Sequence, residues 1–205
     1  MTLAALLSPD WESRPNPETI VMLFHGYGSN ERDLPGIVEH LGLDMPLVSL
    51  RAPLDMGAGA AAWFPLDENL TISRQPVEDS TTIVWNWVDE NVAPETRIIT
   101  IGFSQGGLMA SQLLRTRPER IADTVILSGF VLGAEQPADA FLAAERPSVF
   151  WGHGTADAVI PQLLVVGASL WLRNHTTLTE KVYPGLAHSV HDQELADLKA
   201  YLHRA

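Results

Sequence analysis

Apolar residues in this chain come mainly as short continuous runs separated by helical patterns. Thr19–Phe24 (T-I-V-M-L-F), Leu47–Leu50, Arg97–Phe103 and residues 124–128 and 148–152 are runs of strand length, and residues 178–183 read as a last strand. Runs without polar alternation suit strands buried on both faces, as in a parallel sheet under helices. Ser29 or Asn30 is expected to cap a short helix with Glu31 and Asp33 in its first turn. Pro76, followed by Glu78 and Asp79, opens a helix that buries Ile83, Val84, Trp87 and Val88 and ends before Pro94. Further helices are expected from Leu108 to about Thr116, over residues 139–144 and 161–174, and at the end, where Leu195, Leu198 and Leu202 share a face. Residues 1–17 carry three prolines and read as an irregular N-terminal segment; residues 51–75 show no element, and a connection that long is usually functional. Strands alternating with helices predict an α/β fold, a mostly parallel central sheet with helices on both faces.

At 205 residues the chain is most simply one domain spanning residues 1–205. No apolar run is long enough to span a bilayer. No basic residue precedes the short A-A-L-L run near the start, so the N-terminus does not read as an export signal and the default location is cytoplasmic. With no cysteine, disulfides, thiolate metal sites and a Cys nucleophile are excluded. A net charge of −12 argues against nucleic acid and against stable membrane association, since both need a basic footprint. Arg115, Arg117 and Arg120 form a small cationic group, explained by the end of a helix.

In such sheets, sites lie at the carboxyl ends of the strands. The polar signals fall there: after residues 24, 103, 152 and 183. The stretch Gly102-Phe103-Ser104-Gln105-Gly106 has a buried strand before it and a helix after it, the context of a nucleophile elbow. A serine hydroxyl needs a base within hydrogen-bond reach, and that base needs a third group to fix its tautomer. In this fold class the chain order is Ser, acid, His. Of the histidines after Ser104, His175 and His203 lie at helix ends, His191 opens the last helix, and the His-Gly context of His153 reads as structural. His188, in a glycine-containing loop just past a strand, is the candidate base. Asp157 is favoured as the acid over Asp139, because the tight His153-Gly-Thr-Ala-Asp157 loop holds it near a strand end. Two N–H groups are expected to bind an oxyanion: that of Gln105, and that of Tyr27 in His25-Gly26-Tyr27-Gly28.

The motifs L-F-H-G-Y-G (23–28), G-F-S-Q-G-G (102–107), H-G-T-A-D-A-V-I-P (153–161) and Y-P-G-L-A-H-S (183–189) together resemble the small carboxylesterase, lysophospholipase and acyl-protein thioesterase family of α/β-hydrolases. The resemblance runs from about Thr19 to the C-terminus. It implies the α/β-hydrolase fold without a separate lid domain, and Ser104, Asp157 and His188 as a catalytic triad. It also implies that Trp63-Phe64 lies beside an acyl pocket; Pro65 stands where that family often has Asp. Met56, Trp63, Phe64, Leu66, Val131, Leu132 and Val159 are the candidate pocket residues.

The expected activity is hydrolysis of carboxylic esters with small to medium acyl chains, through an acyl-enzyme on Ser104, with no cofactor and no metal. Acyl-protein thioesterase or lysophospholipase activity is the enzyme alternative, and a catalytically silent binding module on the same scaffold is the non-enzyme one. The expected partner is a small-molecule ester. Apolar loop residues near the cleft are compatible with a homodimer.

Overall fold

The computed structural model describes residues 3–66 and 72–204. In chain order its elements are β1 (Ala5–Leu7), β2 (Thr19–Phe24), α1 (Pro35–Leu41), β3 (Leu47–Leu50), β4 (Leu54–Gly57), β5 (Ala60–Ala62), α2 (Arg74–Asn91), β6 (Arg97–Phe103), α3 (Gln105–Thr116), β7 (Ile121–Leu127), α4 (Asp139–Glu145), β8 (Ser148–Gly154), α5 (Gln162–His175), β9 (Thr177–Tyr183) and α6 (Asp192–Leu202). Seven strands form one sheet in the order β1-β3-β2-β6-β7-β8-β9; β4 and β5 pair as a separate hairpin. All neighbours in the large sheet are parallel except β1, which runs antiparallel to β3.

The unbroken apolar runs have a direct cause. Alternate residues of each strand serve two cores. Ile20, Met22 and Phe24 of β2, with Val149 and Trp151 of β8, face α2, α3 and α5. Val21 and Leu23, with Val125, Leu127 and Phe150, face α1 and α6. The inner strands β2 and β8 are covered on both sides, so their middles are apolar and buried; the edge strand β9 is only half-covered and carries Thr179, Glu180 and Lys181 in its middle.

Several expectations are corrected. Residues 1–17 are not irregular throughout: Ala5–Leu7 pairs with the exposed edge of β3. Three residues carry no periodicity, and that pairing is dictated by the partner's free edge. The stretch 51–75 contains the β4–β5 hairpin, turned by Gly57, Ala58 and Gly59, all at positive φ; its residues 67–71 lie outside the described residues. Neither Ser29 nor Asn30 caps a helix. The Asn30 side chain accepts the Arg32 N–H in a local turn, and α1 begins only at Pro35, whose fixed φ suits a first turn. Strand β8 continues through His153 and Gly154, pairing with β9.

Arg115 is also not a solvated helix-end cation. It is 1% exposed, and its guanidinium meets Asp139 at 2.8 and 2.6 Å. Nη1 donates to the Leu132 carbonyl at 2.7 Å and Nη2 to that of Ala134 at 3.0 Å. Burial pushes the Asp139 carboxyl up, but its hydrogen bonds to Arg115 and the Gln136 N–H outweigh this and hold it below the usual range. The arrangement pins the connection between β7 and α4, which carries Phe130. Removing one partner of a buried pair strands the other charge. Arg115→Met is therefore expected to cost about 3–5 kcal/mol in urea unfolding, and adding Asp139→Leu should recover part of that loss.

Candidate active site

Ser104 ends the strand β6 and starts the helix α3 with φ 56° and ψ −116°, in a region L-residues rarely adopt. The neighbouring glycines explain how it is held. A Cβ on Gly106 would lie 1.9 Å from the Phe24 carbonyl oxygen, and one on Gly102 would lie 2.0 Å from the Gly106 carbonyl oxygen. No side chain fits at either place, so α3 abuts the end of β2. The Ser104 N–H donates to the Leu127 carbonyl at 2.9 Å, fixing the turn to the next strand.

The loop after β9 brings His188 over this turn. Its Nε2 lies 2.9 Å from Ser104 Oγ, and its Nδ1 lies 2.8 Å from Asp157 Oδ2. The partners set the tautomer: Nδ1–H donates to the carboxylate and Nε2 accepts from the hydroxyl. Asp157 Oδ1 accepts the N–H groups of Val159 at 2.8 Å and Ile160 at 3.1 Å. Burial alone would push this carboxyl up. The His188 ring and those two N–H groups outweigh it and hold the carboxyl below the usual range. The loops carrying the acid and the histidine are tied together. Thr155 N–H donates to the Tyr183 carbonyl and Ala156 N–H to that of Leu186, both at 3.0 Å. Gly154 has no room for a side chain, because a Cβ would sit 1.9 Å from the Leu186 carbonyl oxygen. Asp139, the rival acid, is committed to Arg115. His153 lies instead beside Glu180, at 3.4 Å.

Among the described residues, neither the Tyr27 nor the Gln105 N–H donates to another group. The segment carrying Tyr27 is stitched down on both sides. Gly28 N–H donates to the Ala61 carbonyl at 2.9 Å, and Ala61 N–H returns a bond to Ser29 at 2.8 Å. His25 is wholly buried: Nδ1–H is 2.7 Å from the Gly26 carbonyl, and Nε2 accepts the Ala52 N–H at 3.1 Å. Burial pushes its imidazole below the ordinary histidine range, so it stays neutral and keeps one nitrogen as an acceptor. The Gln105 side chain is a second clamp. Its Oε1 accepts the Trp63 N–H at 2.8 Å and its Nε2 donates to the Phe64 carbonyl at 2.7 Å. Neither clamp is legible in the sequence, because Ala52 and Trp63-Phe64 lie far along the chain from His25 and Gln105.

Ser104 and His188 open into a cavity of about 380 Å³. Of the seven expected pocket residues, Leu66 and Val159 line it. The other five do not. Trp63, Phe64, Val131 and Leu132 are buried in the core, and Met56 is exposed on the β4–β5 hairpin. Trp63 is held there by its indole N–H, which donates to the His25 carbonyl at 2.9 Å. Ile72, Phe103, Phe130, Ile160, Pro161 and Leu164 add to the apolar wall. Large apolar side chains in such loops are usually core, and Trp63, Phe64, Val131 and Leu132 follow that rule. No cluster able to hold a metal ion occurs among the described residues, nor does any helix long and apolar enough to cross a membrane.

The model of the Phospholipase/Carboxylesterase family matches residues 11–205. The chain belongs to this family. Like the family it resembles in sequence, it is a hydrolase of the α/β-hydrolase fold. It is 28% identical to acyl-protein thioesterase 1 of Saccharomyces cerevisiae over 221 residues, covering 94% of each chain. It is 26% identical to the carboxylesterase SOBER1 of Arabidopsis thaliana over 158 residues, covering 72% of this chain and 69% of that one. Among solved structures, the esterase PE8 matches with a TM-score of 0.76 at 26% identity, covering 98% of both chains. A Bacillus cereus carboxylesterase matches with a TM-score of 0.79 at 18% identity, over 97% of this chain and 92% of that one, and so shares the fold.

One further group in this family member carries no signal in the sequence. Glu194, in the first turn of α6 against Gly152 of β8, is 0% exposed, and among the described residues neither carboxylate oxygen has a hydrogen-bond partner. Gly152 makes its space, since a Cβ there would lie 2.1 Å from Glu194 Oε1. Burial, aided by the charge of Asp197, pushes this carboxyl from 4.5 to about 7. The folded protein therefore holds a proton that the unfolded chain has released between those values. Stability falls as pH rises through that window and levels off above it. Relative to Glu194→Gln, the native chain is expected to lose roughly 2–3 kcal/mol between pH 5 and pH 8 in chemical denaturation. A constant difference across that range would contradict the assignment.

Proposed function

We propose that this hydrolase is a serine carboxylesterase acting on esters with small to medium acyl chains. The observation that carries the reading is the hydrogen-bonded chain Ser104–His188–Asp157 at the mouth of an apolar cavity. His188 Nε2 accepts the hydroxyl proton as Ser104 Oγ attacks the ester carbonyl carbon. Asp157, kept ionised, holds the ring in place and stabilises the imidazolium. The N–H groups of Tyr27 and Gln105 receive the oxyanion, and losing one such donor typically costs about 10²–10³ in kcat. The imidazolium then protonates the departing alcohol oxygen. Water, deprotonated by His188, attacks the acyl-enzyme and releases the acid.

The cavity lies near the lower end of the usual ligand-pocket range of about 300–1,000 Å³. Its wall of Leu66, Ile72, Phe130, Ile160 and Leu164 takes an acyl chain, with modest room for length. The relatives named acyl-protein thioesterase support a second reading on the same machinery.

Ser104→Ala should lower ester hydrolysis by about 10⁴-fold or more while leaving the circular dichroism spectrum unchanged; retained turnover in a clean preparation would overturn the assignment. Across p-nitrophenyl esters from acetyl to dodecanoyl, kcat/KM should peak at short to medium chains. Leu164→Trp, which narrows the apolar end, should move the peak to shorter ones. A peak at dodecanoyl would put the thioesterase or lysophospholipase reading first.

A further inference from the structure

The cavity wall divides by segment. Leu66, Ile72, Ile160 and Leu164 are aliphatic, whereas the stretch after β2 contributes Tyr27, Ser29 and Asp33. Asp33 is the single Asp, Glu, Lys or Arg among the described residues that line the cavity. Ser29 Oγ donates to its Oδ2 at 2.7 Å, and among the described residues its Oδ1 has no hydrogen-bond partner and the carboxylate has no ion pair. The nearby cations do not neutralise it. Arg51 sits 3.3 Å and Arg32 3.9 Å from Glu31. Tyr27, 45% exposed, lines the same cavity. A carboxylate and an aromatic face around one cavity are the chemistry that recognises an ammonium group. The net charge of −12 draws cations to the surface as well.

We propose that Asp33 and Tyr27 form the alcohol-side subsite and select esters whose leaving alcohol carries a cationic ammonium group. This rests on the serine-esterase reading: with the acyl chain against the aliphatic wall, the polar stretch is left for the alcohol. An ester with an anionic alcohol meets repulsion there, and a neutral one meets neither effect.

The test compares butyrylcholine with 3,3-dimethylbutyl butyrate, in which a carbon replaces the nitrogen and the shape is kept. Each kcat/KM is divided by that ester's own rate of hydroxide hydrolysis, which removes the difference in leaving-group reactivity. At low ionic strength the normalised ratio should favour the cationic ester by about fivefold to tenfold, as a partly exposed ion pair and cation–π contact together provide. It should fall toward one at 0.5 M salt, where charges are screened beyond about 4 Å, and also in Asp33→Asn, each protein serving as its own reference. A ratio of one or less in the native protein, or one insensitive both to salt and to Asp33→Asn, overturns the inference while hydrolysis of the neutral ester leaves the esterase reading standing. If Ser104→Ala hydrolyses both esters at the native rate, the esterase reading fails and this subsite fails with it.

Discussion

Two carbonyl oxygens leave no room for side chains on either side of Ser104, and the geometry of the site depends on that exclusion. With glycine at 102 and 106, α3 closes onto the end of β2, and the sheet and the helix meet at backbone distance. The serine between them is forced to φ 56°. A non-glycine residue in such a region costs on the order of 1–3 kcal/mol and persists only where its surroundings over-determine it. Here they do: the Ser104 N–H is bonded to β7 and its carbonyl accepts from Gly107. The same contact sets Gly106, the residue after Gln105, against the Phe24 and His25 carbonyls at the end of β2.

The second layer of the design is polar and buried. His25, Gln105 and Arg115 each tie a loop to the scaffold, and each loop contributes to the cavity or the candidate oxyanion site. Loop-borne chemistry needs such ties, because a loop has no ladder of its own to hold it. Arg115 shows the logic most clearly. Its guanidinium bonds two carbonyls and a carboxylate, so the stretch that carries Phe130 stays against the cavity without regular secondary structure.

The order of strands and helices was legible because strands covered on both faces must be apolar throughout, and because glycine and proline punctuate their ends. Ser104, Asp157 and His188 were legible as candidates for a related reason: each lies just beyond a strand's carboxyl end, where few residues compete. What escaped the sequence was whatever depends on a distant partner. Arg115 in a last helical turn reads as a cation meeting the helix dipole; its burial is decided by Asp139, 24 positions on. The strand Ala5–Leu7 exists because β3 offers an edge. The family resemblance implies Trp63 and Phe64 beside a pocket, yet Gln105, about 40 positions away, bonds their backbone and both side chains lie in the core. The cavity wall is formed by residues that only the folded chain brings together, so Ile72, Phe130, Ile160 and Leu164 carried no signal of their own.

In the proposed mechanism Ser104 is a nucleophile activated by His188. The most direct measurement is treatment of the intact protein with a fluorophosphonate, followed by mass spectrometry of the whole chain and of its peptides. One adduct per chain is expected, on the peptide containing Ser104, formed in step with loss of ester hydrolysis. Absence of an adduct, or an adduct on another serine accompanied by the same loss of hydrolysis, would contradict it.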